Sequence, residues 1–175
     1  MVYSLFCAEK EFDDDLVICY GDIVFEPQVL EALLASDADF SVVIDRGWRQ
    51  LWELRMDDPI SDAESLKVDA SGNITDIGRK VSSFDEIEGQ YIGLFRIKAA
   101  CLAKIRAFYH GLDRKANYDG KDFENMFMTT LIRRLIDDGM SIKAVCVDHG
   151  WLEVDTLSDW QRYEALDPIN PLFKF

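Results

Sequence analysis

A chain of 175 residues is long enough for one domain with a sizeable core, and a hydrophobic content of 49% with 12% aromatics excludes a disordered chain. Lys and Arg number 19 against 33 Asp and Glu, a net charge of -14, which argues against nucleic acid or an anionic membrane surface as the main partner and suits a metal ion or a cationic ligand. The longest apolar runs fall well short of a membrane span. Cys7, Cys19, Cys101 and Cys146 show no C-x-x-C spacing and follow no signal-like segment, so buried, reduced thiols in a cytoplasmic protein are expected.

Met1–Phe12 carries Val2, Leu5, Phe6 and Phe12 roughly on one face and predicts an amphipathic helix, ended by Asp13-Asp14-Asp15. Leu16–Tyr20 is short, apolar and β-rich, the pattern of a buried parallel strand. It runs straight into Gly21-Asp22. A carboxylate at the carboxyl end of such a strand stands where open α/β sheets place ligands and metals. Pro27 opens a helix through Ala35, and Phe40–Asp45 (FSVVID) forms a second buried strand. This alternation implies parallel pairing through right-handed crossovers.

Arg46–Glu64 breaks the rhythm with Trp, Arg and Asp and a turn at Asp57-Asp58-Pro59. Leu66–Asp69 and Ile74–Ile77 flank Ala70-Ser71-Gly72-Asn73 and predict a peripheral β-hairpin. Gly89–Ile97 is a further strand, whose Gly89 and Gly93 mark close approach by a ligand or another backbone. A helix over Lys98–Tyr109, a polar loop over Gly111–Gly120 and a longer helix over Phe123–Asp138 follow. Ile142–Asp148 returns to the sheet and Trp151–Asp155 continues it. Thr156 with Asp159 forms a capping-box pattern for a helix to Leu166, and 167–175 reads as a surface tail with two prolines. One domain over 1–166 is expected, without internal repeats.

Asp22 and Asp155 are the candidates for chemistry. Magnesium takes octahedral oxygen ligands, often one or two carboxylates with water and phosphate oxygens, and two aspartates at neighbouring strand ends meet that need. Strand-end or helix-capping aspartates are the plainer alternative. Lys80 and Arg79, in an acidic chain, suit a phosphate or phosphonate as point charges, or belong to a solvated turn. Glu86 and Glu88 set an anionic wall beside them. Trp48, Trp52 and Trp151, with Tyr91, offer faces for a cationic head group, or are core. Trp48 and Trp52 share a face if the segment is helical, and Asp57, Asp58 and Asp62 either complement a cation or equally belong to a solvated loop. No Ser/His/Asp or Cys/His arrangement involves His110 or His149.

Met1–Glu9 (MVYSLFCAE), Tyr20–Pro27 (YGDIVFEP), Trp48–Glu64 (WRQLWELRMDDPISDAE), Glu86–Ile97 (EIEGQYIGLFRI) and His149–Asp159 (HGWLEVDTLSD) together resemble the sugar-nucleotide-type nucleotidyltransferases. The likeness is to their phosphocholine and phosphonate cytidylyltransferase branch, and it runs from Met1 to about Tyr163. DDPISDAE and EGQYIGL are its distinctive segments. The resemblance implies an α/β fold, a truncated Rossmann-like mixed and mostly parallel sheet with helices on both faces. It implies Asp22 and Asp155 as magnesium ligands and Lys80 as a contact to the acceptor's phosphoryl group. Glu88, Tyr91 and Trp151 would line the acceptor side, with Trp48 and Trp52 beside them. The implied reaction is attack of a phosphate or phosphonate oxygen on the α-phosphorus of CTP, releasing pyrophosphate.

Family members begin with a strand and a G-x-G-x-R loop followed by a lysine, which bind the nucleotide. That motif does not occur in this chain. The expectation is therefore the acceptor- and metal-binding part of the fold without its nucleotide loop, completed by an amino-terminal half or covered at its sheet edge by a homodimer partner. The alternative is an inert stand-alone relative that binds a small zwitterion or serves as an oligomerising module. Neither nucleic acid nor membrane is an expected partner.

Overall fold

The computed structural model describes residues 1–166 together with Leu172 and Phe173. Phe40–Asp45 forms β3 with all six residues buried, as a continuous apolar strand requires when both of its faces are covered. It lies inside a four-stranded sheet of order β1-β6-β3-β7, with β1 at Leu16–Cys19, β6 at Gln90–Ile97 and β7 at Lys143–Val147. Side chains alternate between the two faces. Phe40, Val42 and Ile44 enter one core with Phe95 and Ile97, while Val43 enters a second with Ile92 and Leu94.

Helices α1 (Val2–Cys7), α4 (Ala99–Gly111) and α5 (Met128–Asp137) bury Phe6, Leu102, Ile105, Leu131 and Leu135 in the first core. Helices α2 (Pro27–Leu34), α3 (Trp48–Arg55) and α6 (Leu157–Glu164) bury Val29, Leu33, Leu51, Trp52 and Tyr163 in the second. Each buried aliphatic side chain contributes about 1.5–3 kcal/mol by leaving water. The expected mixed sheet with helices on both faces is present. No helix among the described residues is long and apolar enough to cross a membrane.

Strand pairing departs from the sequence pattern. Leu16–Cys19 is an edge strand antiparallel to β6, not a buried parallel one. Leu16 and Ile18 face the first core, whereas Val17 is 46% exposed. β1 and β3 do run in the same direction, but β6 lies between them and opposes both, and the parallel pairing of this sheet is β3 with β7. A short apolar run does not encode which neighbour will pair with it. Trp151–Asp155 likewise leaves the sheet. Its strand β8 (Trp151–Glu153) pairs with β2 (Ile23–Phe25), absent from the sequence reading, in a separate antiparallel ladder.

Three further expectations change. Helix α5 starts at Met128 and not at Phe123, because Asp122 accepts the Asn125 N–H at 2.9 Å and turns the chain, leaving Phe123 and Met126 buried ahead of the helix. The four thiols are unpaired, but Cys7, Cys19 and Cys146 are exposed, the last two on outward positions of β1 and β7 at the two ends of the sheet. Of the predicted surface tail, 167–171 and 174–175 lie outside the described residues. Leu172 is buried, and its carbonyl accepts the Gly150 N–H at 2.9 Å.

The hairpin of β4 (Glu64–Val68) and β5 (Ile74–Lys80) forms as predicted, its turn closed by the Ser71 and Asn73 N–H groups on Asp69 Oδ1, each at 2.8 Å. It is not peripheral, since Leu66, Ile74 and Ile77 are buried in the first core and α5 packs on β5. The approach is tightest at Gly78, whose φ is +78° and where a Cβ would lie 2.6 Å from Thr129 Cβ. Arg133 of α5 clamps this contact. Its guanidinium donates to the carbonyls of Ile77 and Gly78 at 3.1 Å each and pairs with Asp119, which also accepts the Thr130 hydroxyl at 2.6 Å.

Burial alone would raise the Asp119 pKa, but the bonds from Thr130 and Arg133 outweigh it and hold the carboxyl below its ordinary value. A depressed folded-state pKa adds stability above the unfolded value of about 3.9, and the gain is lost as pH falls through the folded value. Asp119→Asn should lower the urea midpoint near neutral pH, with the gap from the native chain closing below about pH 4. A gap of constant size down to about pH 2 would refute this linkage.

Candidate active site

The β2–β8 ladder builds the site. Its register pairs Ile23 with Glu153, Val24 with Leu152 and Phe25 with Trp151, and the Val154 N–H continues it to the Asp22 carbonyl at 2.8 Å. Asp22 precedes β2 and Asp155 follows β8, so an antiparallel pairing brings both to the same end of the ladder. Carboxylate oxygens of Asp22, Glu153 and Asp155 all lie within 4.8 Å of one another. The two predicted aspartates therefore meet, although through this ladder and not through the carboxyl ends of parallel strands. Glu153 is the member that sequence reasoning missed. Glu153 and Asp155 stand two apart in an extended segment and so share a face, which was the available signal.

Arg55, the last residue of α3, organises this end. Its guanidinium, 4% exposed, donates to Glu153, to Asp155 Oδ2 at 2.6 Å and to Asp159 Oδ1 at 3.3 Å. Burial pulls its pKa down, but the charge of Glu153 leads the opposing contributions and the net shift is upward. Glu153 is itself pushed above the ordinary carboxylate value, first by burial and further by the charges of Asp155 and Asp22, against the pull of Arg55. Three carboxylates against one guanidinium leave the cluster with surplus negative charge. The Asp22 carboxylate is exposed and makes no hydrogen bond or ion pair among the described residues. An all-oxygen donor set with surplus negative charge and an open face fits a hard divalent cation such as magnesium.

Asp159 also closes the predicted capping box of α6, accepting the Thr156 N–H and hydroxyl at 2.9 Å each while its own N–H donates to Thr156 Oγ1 at 3.1 Å. Asp155 therefore sits on a backbone fixed on one side by β8 and on the other by the helix cap.

Lys80 stands at the end of β5 on a cleft of about 520 Å³ that also holds Asp62, Glu64, Arg79 and Asp119. Arg79 pairs with Asp76 at 2.7 Å, whereas the Lys80 ammonium makes no hydrogen bond or ion pair among the described residues. Burial first, and then the charge of Asp62, raise the Glu64 pKa, although a bond from Thr129 opposes them. Tyr20 links this cleft to the carboxylate cluster, since its hydroxyl feels the charges of Glu64, Asp22 and Glu153 together; burial leads its upward shift. Its ring occupies the space over Gly93, where φ is +84° and a Cβ would approach the ring to 2.7 Å. The close approach predicted at Gly93 is made by this side chain.

The remaining predicted site residues are elsewhere. Trp48 and Trp52 do share a helical face, but it points inward. They and Trp151 are 4%, 5% and 1% exposed and pack on one another, with centroids 5.7 Å apart for Trp48–Trp52 and 6.1 Å for Trp52–Trp151. No indole face is left for a cationic head group, because three large apolar rings gain more from the second core. Trp151 Nε1 donates to Asp45 Oδ2 at 2.9 Å. Tyr91 packs in the first core between Tyr20 and Phe95. Glu88 braces the hairpin, accepting the Val68 N–H at 2.8 Å and facing Lys67 at 3.5 Å, and so stands apart from the cluster.

The chain is similar to a CTP:phosphoglutamine cytidylyltransferase from Campylobacter jejuni, 41% identical over 165 residues that make up 91% of this chain and 65% of that protein. Among solved structures it resembles the inositol-1-phosphate CTP transferase from T. maritima, with a TM-score of 0.65 at 18% identity over 90% of this chain and 56% of that one. A second structure, from Bacillus anthracis, gives 0.63 at 16% identity, over 94% of this chain and 59% of that one. No protein-family model matches. The chain thus spans less than two thirds of the length of its curated relative. In sequence it is a relative of the nucleotidyltransferases, and it has their Rossmann-like fold.

Proposed function

We propose that this chain forms the acceptor- and magnesium-binding portion of a cytidylyltransferase, joining the CMP group of CTP to a small phosphorylated or phosphonate acceptor. The observation that carries this reading is the cluster of Asp22, Glu153 and Asp155, found in a chain 41% identical to a cytidylyltransferase. Asp22 and Asp155 hold magnesium, with Glu153 beside them; the bound ion supplies charge neutralisation at the triphosphate. An oxygen of the acceptor's phosphate or phosphonate attacks the α-phosphorus of CTP, the bond from that phosphorus to the bridging oxygen breaks, and pyrophosphate leaves. Such a transfer asks the protein for positioning and electrostatics more than for covalent help.

The Lys80 ammonium, without a partner among the described residues, donates to the acceptor's phosphoryl group. Asp62 and Glu64 on the same cleft favour an acceptor that carries a cationic group as well. Phosphocholine, 2-aminoethylphosphonate and phosphoglutamine are the candidates. The cradle for CTP is assigned to length that the relatives have beyond the matched region, or to a second chain against the β1 edge, a homodimer included. In this reading the reaction is cytoplasmic.

Calorimetric titration in Mn2+ with each of the three acceptors, followed by a pyrophosphate-release assay with CTP, tests the reading. One acceptor should bind, and Lys80→Ala should weaken it about 10- to 100-fold, the worth of one charge-assisted hydrogen bond. Silence toward all three acceptors would sink the proposal. The Arg55 guanidinium favours a second reading, since it already neutralises part of the cluster. In that reading the chain binds an acceptor but catalyses nothing, and acceptor heat without metal binding or pyrophosphate release is its signature.

A further inference from the structure

Resting on the magnesium site proposed above, we infer that Arg55 is a positioning residue for that site, and that it aims Asp155 and Glu153 by the geometry of its fork and not by its charge. The three nitrogens of the guanidinium are each committed to a different carboxylate. Nη1 takes Glu153, Nη2 takes Asp155 Oδ2, and Nε takes Asp159 Oδ1. Asp159 is anchored independently by the capping box of α6, and Arg55 is anchored at the end of α3. A planar fork held at both ends fixes the direction in which its remaining bonds point.

That matters most for Asp155. Its side chain is 47% exposed, so packing does not set its rotamer, and among the described residues its carboxylate is held by Arg55. With Oδ2 taken by Arg55, Oδ1 is the oxygen left for a cation, and the carboxylate as a whole lies within reach of that of Asp22. Glu153 is held back by the same guanidinium and stands as an outer member of the cluster. Partners that orient the ligands of a metal in this way are worth about 10- to 100-fold in metal affinity.

Charge and geometry make opposite forecasts. A guanidinium acting only as a cation repels the metal, so its removal would tighten binding, and a lysine that keeps the charge would bind like the native chain. A guanidinium acting as a fork is not replaced by lysine, which offers a point charge and no bidentate geometry. Mn2+ affinity, followed by its electron paramagnetic resonance signal, should fall about 10-fold or more in both Arg55→Lys and Arg55→Met. The zero-field splitting of bound Mn2+ should also broaden as the ligand geometry loosens, a change that lost stability alone does not produce in folded protein.

Native affinity in Arg55→Lys, or tighter binding in Arg55→Met, overturns the inference. Should neither variant fold, Asp159→Asn carries the test. It unseats the guanidinium from its third carboxylate and touches no proposed ligand. Mn2+ binding weaker than in Thr156→Ala, which loses the cap but keeps the third carboxylate of the fork, supports the fork, and binding no weaker than in that variant overturns it. If the native chain itself binds no Mn2+, the magnesium reading fails instead, and the two failures are told apart by that first titration.

Discussion

Asp22→Ala should abolish Mn2+ binding while leaving the unfolding of the metal-free chain unchanged. The Asp22 side chain is exposed and its carboxylate makes no hydrogen bond or ion pair among the described residues, so its loss costs the fold no more than about 0.5 kcal/mol. The site loses far more, because magnesium-type sites rely on only one or two carboxylates. For the native chain, Mn2+ at a hundred times its Kd should add about 2.7 kcal/mol of stability, raising Tm by roughly 5–10 °C for a chain of this size. The variant should show no such rise. In a complete enzyme the same change removes several kcal/mol of transition-state stabilisation, on the order of 100- to 1,000-fold in rate. An Asp22→Ala chain that keeps the Mn2+-dependent rise in Tm would remove Asp22 from the site.

Asp45→Ala should be the most damaging single change to the fold. Asp45 ends β3 with no exposed surface, and its carboxylate accepts the Gly47 N–H at 2.7 Å, the His149 N–H at 3.0 Å and Trp151 Nε1 at 2.9 Å. Alanine leaves all three donors unpaired, the indole N–H buried and the two backbone N–H groups partly so, at about 1–3 kcal/mol each before relaxation, so a net loss of about 3–5 kcal/mol is expected. The damage should reach the site as well. The Asp45 carboxylate ties down the corner where β7 hands over to β8, and His149 holds that corner at a φ of 66°. Releasing it frees Trp151, whose strand carries Glu153 and leads to Asp155. Thermal unfolding of Asp45→Ala should show Tm lower by about 10 °C or more, and a loss under about 1 kcal/mol would refute the account.

These two aspartates differ in how visible they are in the sequence. Asp22 is marked by its place after an apolar strand, and by the YGD segment of the resemblance. Asp45 also ends an apolar strand, yet nothing local distinguishes a carboxylate open to a metal from one sealed under an indole. The Trp48 and Trp52 pair has the same ambiguity. Helical spacing puts both on one face, and only the packing against Trp151 decides that the face is internal. Lys80 was readable as a cation at a strand end, but the acidic company it keeps in the cleft comes from Asp62 and Glu64 in one segment and Asp119 in another, both distant in sequence.

By itself, the sequence determined the local elements: the buried strand Phe40–Asp45, the hairpin turn on Asp69, the capping box of Thr156 and Asp159, and the amphipathic helices. Each depends on residues a few positions apart, where periodicity and side-chain chemistry suffice. It also determined which carboxylates to suspect, Asp22 and Asp155. Tertiary structure alone decided that β6 separates β1 from β3, that β2 and β8 form the ladder joining the two aspartates, and that Glu153 and Arg55 complete the cluster. Arg55 and Asp155 lie 100 residues apart, and a pairing at that distance is chosen by the burial and charge balance of the whole fold. No local pattern records that choice.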